Sequence, residues 1–149
     1  MDFMVTIRKN IIINAPPLSV WGVVGQPSQW GKLNPNIANF SYSQSANGRY
    51  NGEWVYALGK LKLHSKVRTN IYEPGRRLVM ETCGQMKSKW TWWLESDGDW
   101  THLALTVEYN AKWSGIGVAL QKVCIEHVHS ETLDTYLGNI KRTVEKSTQ

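Results

Sequence analysis

Hydrophobic and polar residues alternate along the middle of the chain, between residues 37 and 111. In segment 60–71, Leu61, Leu63 and Val67 share one side of a strand, while basic residues occupy the other side. A period of two is typical of an antiparallel strand with one face in the core and one in water. We therefore predict about six meandering strands here, joined by turns at Asn-Gly, Pro-Gly and Asp-Gly pairs.

The period changes to three and four near the end of the chain, from Ser114 to Lys146. This spacing predicts one long helix with a buried side, and Ser114 is suited to cap its start. The stripe has one polar member, His127, and consists of Ile116, Leu120, Val123, His127, Leu133, Leu137, Ile140 and Val144. Such a helix needs a partner surface, so we expect the alternating strands to form a sheet that curls around it.

The first part of the chain predicts a strand followed by two short helices. Thr6–Asn14 is rich in isoleucine and alternates, which is typical of a strand. Pro17 can open a helix because a proline needs no N–H there, and Gly25–Pro27 would end that helix. A second short helix is predicted for Ser28–Leu33, with Trp30 as its buried anchor.

Four segments, in this order along the chain, carry a resemblance to a known family. They are an opening from Ala15 to Pro35, a turn at Tyr72–Leu78, a hairpin at Gly98–Tyr109, and a C-terminal segment from Thr132 to Glu145. In these segments the chain resembles the polyketide cyclase/dehydrase and lipid-transport family of the START/Bet v 1-like (SRPBCC) superfamily. The segments are structural, so they identify a scaffold and not a reaction.

The resemblance implies an α+β protein with the helix-grip fold. In that fold a curved antiparallel sheet, here of about seven strands, wraps around the long C-terminal helix, with two short helices after the first strand. The length of 149 residues fits one domain spanning residues 1–149. The resemblance also implies an internal cavity between sheet and helix that holds lipids, sterols, polyketides or other hydrophobic molecules.

The inward side of the predicted sheet is rich in aromatic residues and poor in charge. We predict that the ligand-binding residues are Trp54, Tyr56, Ser65, Val67, Met80, Trp90, Trp92, Leu105 and Tyr109 from the strands, and Leu120, Val123 and His127 from the helix. The shortage of inward charge favours an apolar ligand over a polar metabolite. The tryptophans could line a cavity or fill it completely, and both alternatives stay open.

Binding or transport of a small hydrophobic ligand is therefore the first functional hypothesis. The alternative is an enzyme of the polyketide cyclase, aromatase or dehydratase type that uses the same cavity, with His127, Tyr109 and Tyr56 as candidate proton-transfer residues. We favour binding, because no carboxylate of inward parity is available to orient His127. That histidine could equally be a core residue bonded to a strand, and an interaction module with a filled cavity is a third hypothesis.

No cofactor and no metal are predicted. Two residues along a helix correspond to about 200°, so His127 and His129 should lie on opposite sides and cannot share a metal. We place His127, rather than His129, toward the sheet. Cys83 and Cys124 do not make a disulfide framework and are expected to be reduced and packed.

The net charge of +5 leaves the choice of charged partners open. A basic row formed by Lys60, Lys62, His64, Lys66 and Arg68 is interpreted as a solvated outer face, so no nucleic-acid partner is predicted. No apolar run approaches the ~20 residues that span a bilayer, which argues against integral membrane association but leaves transient membrane contact open. The N-terminus lacks the basic start of a signal peptide, so a cytoplasmic location is expected. The oligomeric state stays open.

Overall fold

The structure is a computed structural model that describes residues 4–58, 61–110 and 118–147, with side chains omitted at residues 4, 58, 61, 110 and 118–128. The described residues form seven strands and three helices. In chain order these are β1 (Met4–Ile13), α1 (Pro17–Val24), α2 (Pro27–Leu33), β2 (Ile37–Gln44), β3 (Tyr50–Leu58), β4 (Leu61–Glu73), β5 (Arg77–Gly84), β6 (Lys87–Asp97), β7 (Trp100–Asn110) and α3 (Val118–Ser147).

All seven strands belong to one antiparallel sheet with the order β1-β7-β6-β5-β4-β3-β2. The six strands after α2, from β2 to β7, form a meander in which consecutive strands pair. β1 pairs with β7 along its whole length, from Met4 opposite Asn110 to Ile13 opposite Thr101. The predicted seven-stranded sheet is therefore confirmed.

Glycines supply the backbone conformation that three of the tight turns need. Gly48, Gly75 and Gly98 have φ values of 87°, 75° and 62°, which is the region that residues with a side chain avoid. These are the Asn-Gly, Pro-Gly and Asp-Gly positions at which the sequence predicts turns.

The sheet has an inner face toward α3 and an outer face toward solvent. In β4, Leu63, Ser65 and Val67 are buried, while His64 and Lys66 between them are exposed. This alternation confirms the predicted half-buried strand. The inner face carries the core, because α3 lies against it.

α3 contacts the inner face through a stripe that includes His129, a residue that the predicted stripe leaves out. The buried residues after residue 128 include His129, Leu133, Leu137, Ile140 and Val144, at steps of four, four, three and four. The placement of His129 away from the sheet is wrong: its side chain is 0% exposed. Residue 127 is six residues before Leu133, which corresponds to about 240° around the helix, whereas His129 is four residues before it, which corresponds to about 40°. The stripe through Leu133 therefore continues back to His129. The proposed N-cap Ser114 lies outside the described residues.

Polar contacts fix the position of α3 on the sheet. Lys9 on β1 forms an ion pair with Asp134, with 3.1 Å between Lys9 Nζ and the carboxylate. Asn139 Nδ2 donates a hydrogen bond of 2.8 Å to the carbonyl of Leu33, at the end of α2. The helix is thus tied to the first strand and to the second helix, which holds His129 at a defined place over the sheet.

Candidate functional site

The structure places the predicted lining residues of the strands together on the inner face of β3 to β7. All of them are buried: Trp54, Tyr56, Ser65, Val67, Met80, Trp90, Trp92, Leu105 and Tyr109. The other three predicted residues, Leu120, Val123 and His127, lie in the part of α3 whose side chains the structure does not describe. Their role stays a prediction.

Five of the inner-face side chains meet in one cluster, which we call the His129 cluster: Trp54, Tyr56, Trp90, Tyr109 and His129. The His129 ring lies 5.4 Å from the Tyr56 ring, 5.9 Å from Trp90 and 5.0 Å from Tyr109, measured between centroids. Trp54 lies 5.4 Å from Tyr56 and 5.7 Å from Trp90. Most of these pairs are edge-to-face, the geometry that aromatic rings favour.

A short hydrogen-bond chain runs through the centre of the His129 cluster. Tyr56 Oη lies 3.0 Å from His129 Nε2, and Asn34 Nδ2 donates to the same Tyr56 oxygen at 3.4 Å. Asn34 is itself fully buried, and its Oδ1 accepts a bond of 3.0 Å from the backbone N–H of Asn36. The loop between α2 and β2 thereby reaches into the space under α3.

Burial keeps both ends of the Tyr56–His129 pair uncharged near neutral pH. Desolvation of the imidazole lowers the pKa of His129 from its ordinary 6.5 to about 4. Desolvation also raises the pKa of Tyr56, and the hydrogen bond from Asn34 opposes this only in part. The pair is therefore a neutral hydrogen-bonding group in an aromatic surrounding.

Several buried polar atoms on the inner face have no hydrogen-bond partner among the described residues. They include Trp54 Nε1, Thr69 Oγ1 and His129 Nδ1. Leaving such a group unpaired in the interior costs about 1–3 kcal/mol, so unpaired groups are rare in native proteins. These three atoms belong to β3, β4 and α3, all on the side of the sheet that α3 covers.

The neighbouring part of the wall is fully hydrogen-bonded. Trp90 Nε1 donates to Ser88 Oγ at 2.9 Å, and Ser88 Oγ lies 2.5 Å from Thr82 Oγ1. Thr82 Oγ1 and Ser65 Oγ both donate to the carbonyl of Met86, at 2.9 and 3.2 Å. This network holds β4, β5 and β6 together and fixes the Trp90 ring against His129.

Sequence reasoning missed two residues of the site, Asn34 and His129. Counting back by four from Leu133 would have found His129, because the stripe is most regular in the last half of the helix. Asn34 precedes a proline and ends a helix, so its sequence context indicates only a turn. No local signal shows that its side chain is buried.

A separate open groove of about 780 Å³ lies on the outer face of the sheet, across β2 to β5. Its lining includes exposed polar side chains such as Asn39, Glu53, His64 and Lys66, so it does not match the apolar lining expected for the ligand.

Cys83, which was expected to be packed, is exposed here, because its parity in β5 turns it outward. In the described part of the chain, no helix is long and apolar enough to cross a membrane.

The sequence of the chain matches a known protein family over almost its whole length. A profile of the family described as polyketide cyclase / dehydrase and lipid transport matches residues 4–145. The chain belongs to this family. The match confirms the family indicated by the resemblance and includes every described strand. A comparison with curated proteins finds no match.

Solved structures of the same fold cover nearly the whole chain. A protein of Thermus thermophilus is 17% identical, with a TM-score of 0.84 over 97% of this chain and 100% of its own. The Zhui aromatase/cyclase of Streptomyces sp. R1128 is 14% identical, with a TM-score of 0.85 over 99% and 97%. A START superfamily protein of Mycobacterium smegmatis is 14% identical, with a TM-score of 0.75 over 95% and 97%. These likenesses confirm the START/Bet v 1-like, helix-grip fold.

Proposed function

We propose that this protein binds a small hydrophobic ligand, such as a lipid, a sterol or a polyketide-like molecule, between the inner face of the sheet and α3. The family is described by both lipid transport and polyketide cyclisation, and both require a hydrophobic molecule to enter the fold. No cofactor forms part of the proposal. The lining residues predicted from the sequence are the proposed contacts.

The observation that carries this proposal is the set of buried, unpaired polar atoms in an aromatic wall. Trp54 Nε1 and Thr69 Oγ1 have no partner among the described residues, although their side chains are only 2% and 6% exposed. A wall that served packing alone would be more stable with apolar or paired groups at these positions. A ligand with oxygen atoms would supply the missing partners, and its apolar part would fit the surrounding rings.

A second candidate is an enzyme of the cyclase, aromatase or dehydratase type that uses the same space. The observation in its favour is the Tyr56–His129 hydrogen bond, which pairs two groups able to move a proton. Against it, no carboxylate of the described residues orients the imidazole, since His129 Nδ1 has no partner there. Among the earlier candidates, Tyr56 and Tyr109 belong to the His129 cluster, and His127 stays a prediction.

The test is a titration of the purified protein with fatty acids, sterols and aromatic polyketide mimics. Binding should change the tryptophan emission, because Trp54 and Trp90 lie in the proposed wall, and native mass spectrometry should show the added mass of one ligand. The control is Trp54→Phe with Trp90→Phe, in which the emission change should fall sharply while the added mass persists. No emission change and no added mass across the panel would favour the hypothesis of a filled core.

Turnover separates the two candidate functions. If the protein only binds, Tyr56→Phe should weaken binding by at most about 1–3 kcal/mol, because the hydroxyl holds His129 and Asn34 in place and does not itself pair with the ligand. If it is a cyclase or dehydratase, the same change should lower turnover about 10²- to 10⁴-fold while binding persists. The matched control is Tyr42→Phe, because Tyr42 is 43% exposed on β2 and makes no contact with His129 among the described residues.

A further inference from the structure

The hydrogen bonds around Tyr56 determine where the proton of His129 lies. Asn34 Oδ1 accepts the backbone N–H of Asn36, which fixes the side-chain amide so that its Nδ2 faces Tyr56. Asn34 therefore donates to the Tyr56 oxygen and cannot accept its proton. Among the contacts of the described residues, His129 Nε2 is the remaining acceptor for the Tyr56 hydroxyl.

A neutral imidazole carries one proton, on one of its two nitrogens. When His129 Nε2 accepts the Tyr56 hydroxyl proton, the role that the orientation of Asn34 leaves for it among the described residues, the imidazole proton lies on Nδ1. Nδ1 is buried and has no partner in the part of the chain that the structure describes. The site thus holds an oriented N–H donor that is unpaired among the described residues, fixed on one side by Tyr56 and flanked by the rings of Trp90 and Tyr109.

We infer that His129 Nδ1–H is a specificity-determining donor that selects ligands carrying a neutral oxygen acceptor, such as a ketone, quinone or ester carbonyl, over hydrocarbons of the same shape. This inference rests on the proposed function, because it names the chemistry of the ligand that occupies the space under α3. The donor pairs with one oxygen atom, and the aromatic rings around it favour a flat molecule.

The charge of the surroundings favours a neutral oxygen over a carboxylate. A buried carboxylate needs a cation beside it, because burying an unpaired charge costs far more than burying a carbonyl. On the described strands, Lys9 is a cation whose position in β1 faces the inner side of the sheet, and it already forms an ion pair with Asp134. It is therefore not free to pair with a buried carboxylate. His129 is itself neutral at pH 7, because burial lowers its pKa to about 4.

The experiment uses two probes of nearly the same shape, fluorenone and fluorene, which differ by one carbonyl group. The full chain should bind fluorenone about 10- to 100-fold more tightly than fluorene, the range expected for pairing a buried donor. Equal affinities would overturn the inference while leaving the proposed function intact. A third probe, fluorene-9-carboxylate, should bind more weakly than fluorenone, and tighter binding would overturn the choice of a neutral oxygen.

Variants of His129 test whether this residue causes the preference for fluorenone over fluorene. His129→Phe should reduce the ratio of the two affinities to about one, and His129→Asn, which keeps an N–H donor, should restore part of it. His129→Phe leaves the Tyr56 hydroxyl without an acceptor. If that variant folds poorly, the ratio of affinities is measured on the double variant His129→Phe/Tyr56→Phe instead. The matched control is His64→Phe on the exposed outer face, which should keep the ratio of the unmodified chain. A ratio that survives in both His129 variants without an N–H donor would overturn the inference.

Nitrogen-15 NMR of the histidine rings tests the donor without a ligand. The His129 spectrum at pH 7 should show a neutral ring with the proton on Nδ1, and fluorenone should shift the Nδ1–H signal. A proton on Nε2 would overturn the inference regardless of which probe fits. If neither probe binds and the wider panel also fails, the proposed function falls and this inference falls with it.

Discussion

Trp92 and Trp54 are both buried on the inner face of one sheet, but their surroundings differ. Trp92 lies between Leu78 and Leu105 on the adjacent strands and makes an edge contact of 5.5 Å with the ring of Tyr136 on α3. We call these four residues, Leu78, Trp92, Leu105 and Tyr136, the packed end. Trp54 belongs to the His129 cluster, and its indole N–H is buried without a partner among the described residues.

The comparison separates what holds the fold from what is available for a ligand. At the packed end, apolar surfaces of β5, β6 and β7 meet α3, so burial there stabilises the protein directly. In the His129 cluster, part of that gain is offset by unpaired donors at about 1–3 kcal/mol each. A protein retains such a region when something else pairs with it, which is the physical reason to place the polar atoms of the proposed ligand there, whereas Trp92 and Leu105 of the packed end would meet only its apolar part.

The largest expected effect is the loss of Trp92. Trp92→Ala should lower the free energy of unfolding by about 3–5 kcal/mol, because it leaves a cavity in the packed end. Urea unfolding at pH 7 measures this. The control is Trp93→Ala, one residue further along β6, where the ring is 37% exposed and lies under the Arg77 guanidinium at 4.9 Å. That change should cost about 1 kcal/mol or less, and equal costs would contradict the difference between the two faces.

The second effect is a pH dependence that belongs to the His129 cluster alone. The pKa of His129 is about 4 in the folded protein and 6.5 in its ordinary state. Between these values the unfolded chain binds the proton and the folded chain does not, so the free energy of unfolding should rise with pH across this window. The contribution of this group reaches about 3 kcal/mol by the linkage relation.

Comparing the chain with His129→Phe isolates this contribution from that of the carboxylates. The lowered pKa of Glu81, which hydrogen bonds from Asn70 and Arg68 cause in part, also makes stability fall in acid, but it is present in both proteins. Urea unfolding from pH 4 to pH 7.5 should therefore give a steeper curve for the unmodified chain. Parallel curves would show that His129 is not held neutral by burial.

The packed end was more predictable from sequence than the His129 cluster. Alternation along β6 and β7 predicts that Trp92 and Leu105 lie on the inner face, and the spacing of Leu133, Leu137 and Ile140 predicts the buried side of α3, both as observed. Each of these signals is local and repeats over many residues. The strand residues of the proposed site followed from the same parity, which places Trp54 and Trp90 on the inner face.

The polar centre of the cluster depends on contacts between distant segments. The bond between Tyr56 and His129 joins residues that are 73 positions apart, and Asn34 adds a third segment from the loop after α2. Periodicity alone gives the phase of a helix only where its stripe is unbroken. The predicted stripe skips from residue 127 to residue 133, and across that step the prediction left His129 off the buried side.

A third, smaller effect is expected for the hydroxyl that links these segments. Tyr56→Phe removes the hydroxyl that pairs with His129 Nε2 and accepts from Asn34 Nδ2, and leaves both nitrogens buried without that partner. The free energy of unfolding should fall by about 1–3 kcal/mol, measured by urea unfolding. Tyr42→Phe on the edge strand should change it by less than about 0.5 kcal/mol. If Tyr56→Phe left the free energy of unfolding unchanged, the hydrogen-bond chain would not contribute to the stability of the fold.

The smallest effect compares the two tryptophans inside the cluster. Trp54 and Trp90 lie 5.7 Å apart, and Trp90 Nε1 donates to Ser88 whereas Trp54 Nε1 donates to nothing among the described residues. Changing either to Phe removes similar carbon surface, but Trp90→Phe also breaks a hydrogen bond and Trp54→Phe removes an unpaired donor. Trp90→Phe should therefore cost about 1 kcal/mol more in unfolding free energy, measured by urea unfolding without ligand.

Once a bound ligand is identified, the difference should shrink in its presence if the ligand accepts from Trp54. A Trp54→Phe variant that is the less stable of the two without ligand would show that the Trp54 indole has a partner, and the contrast between the His129 cluster and the packed end would then rest on His129 alone.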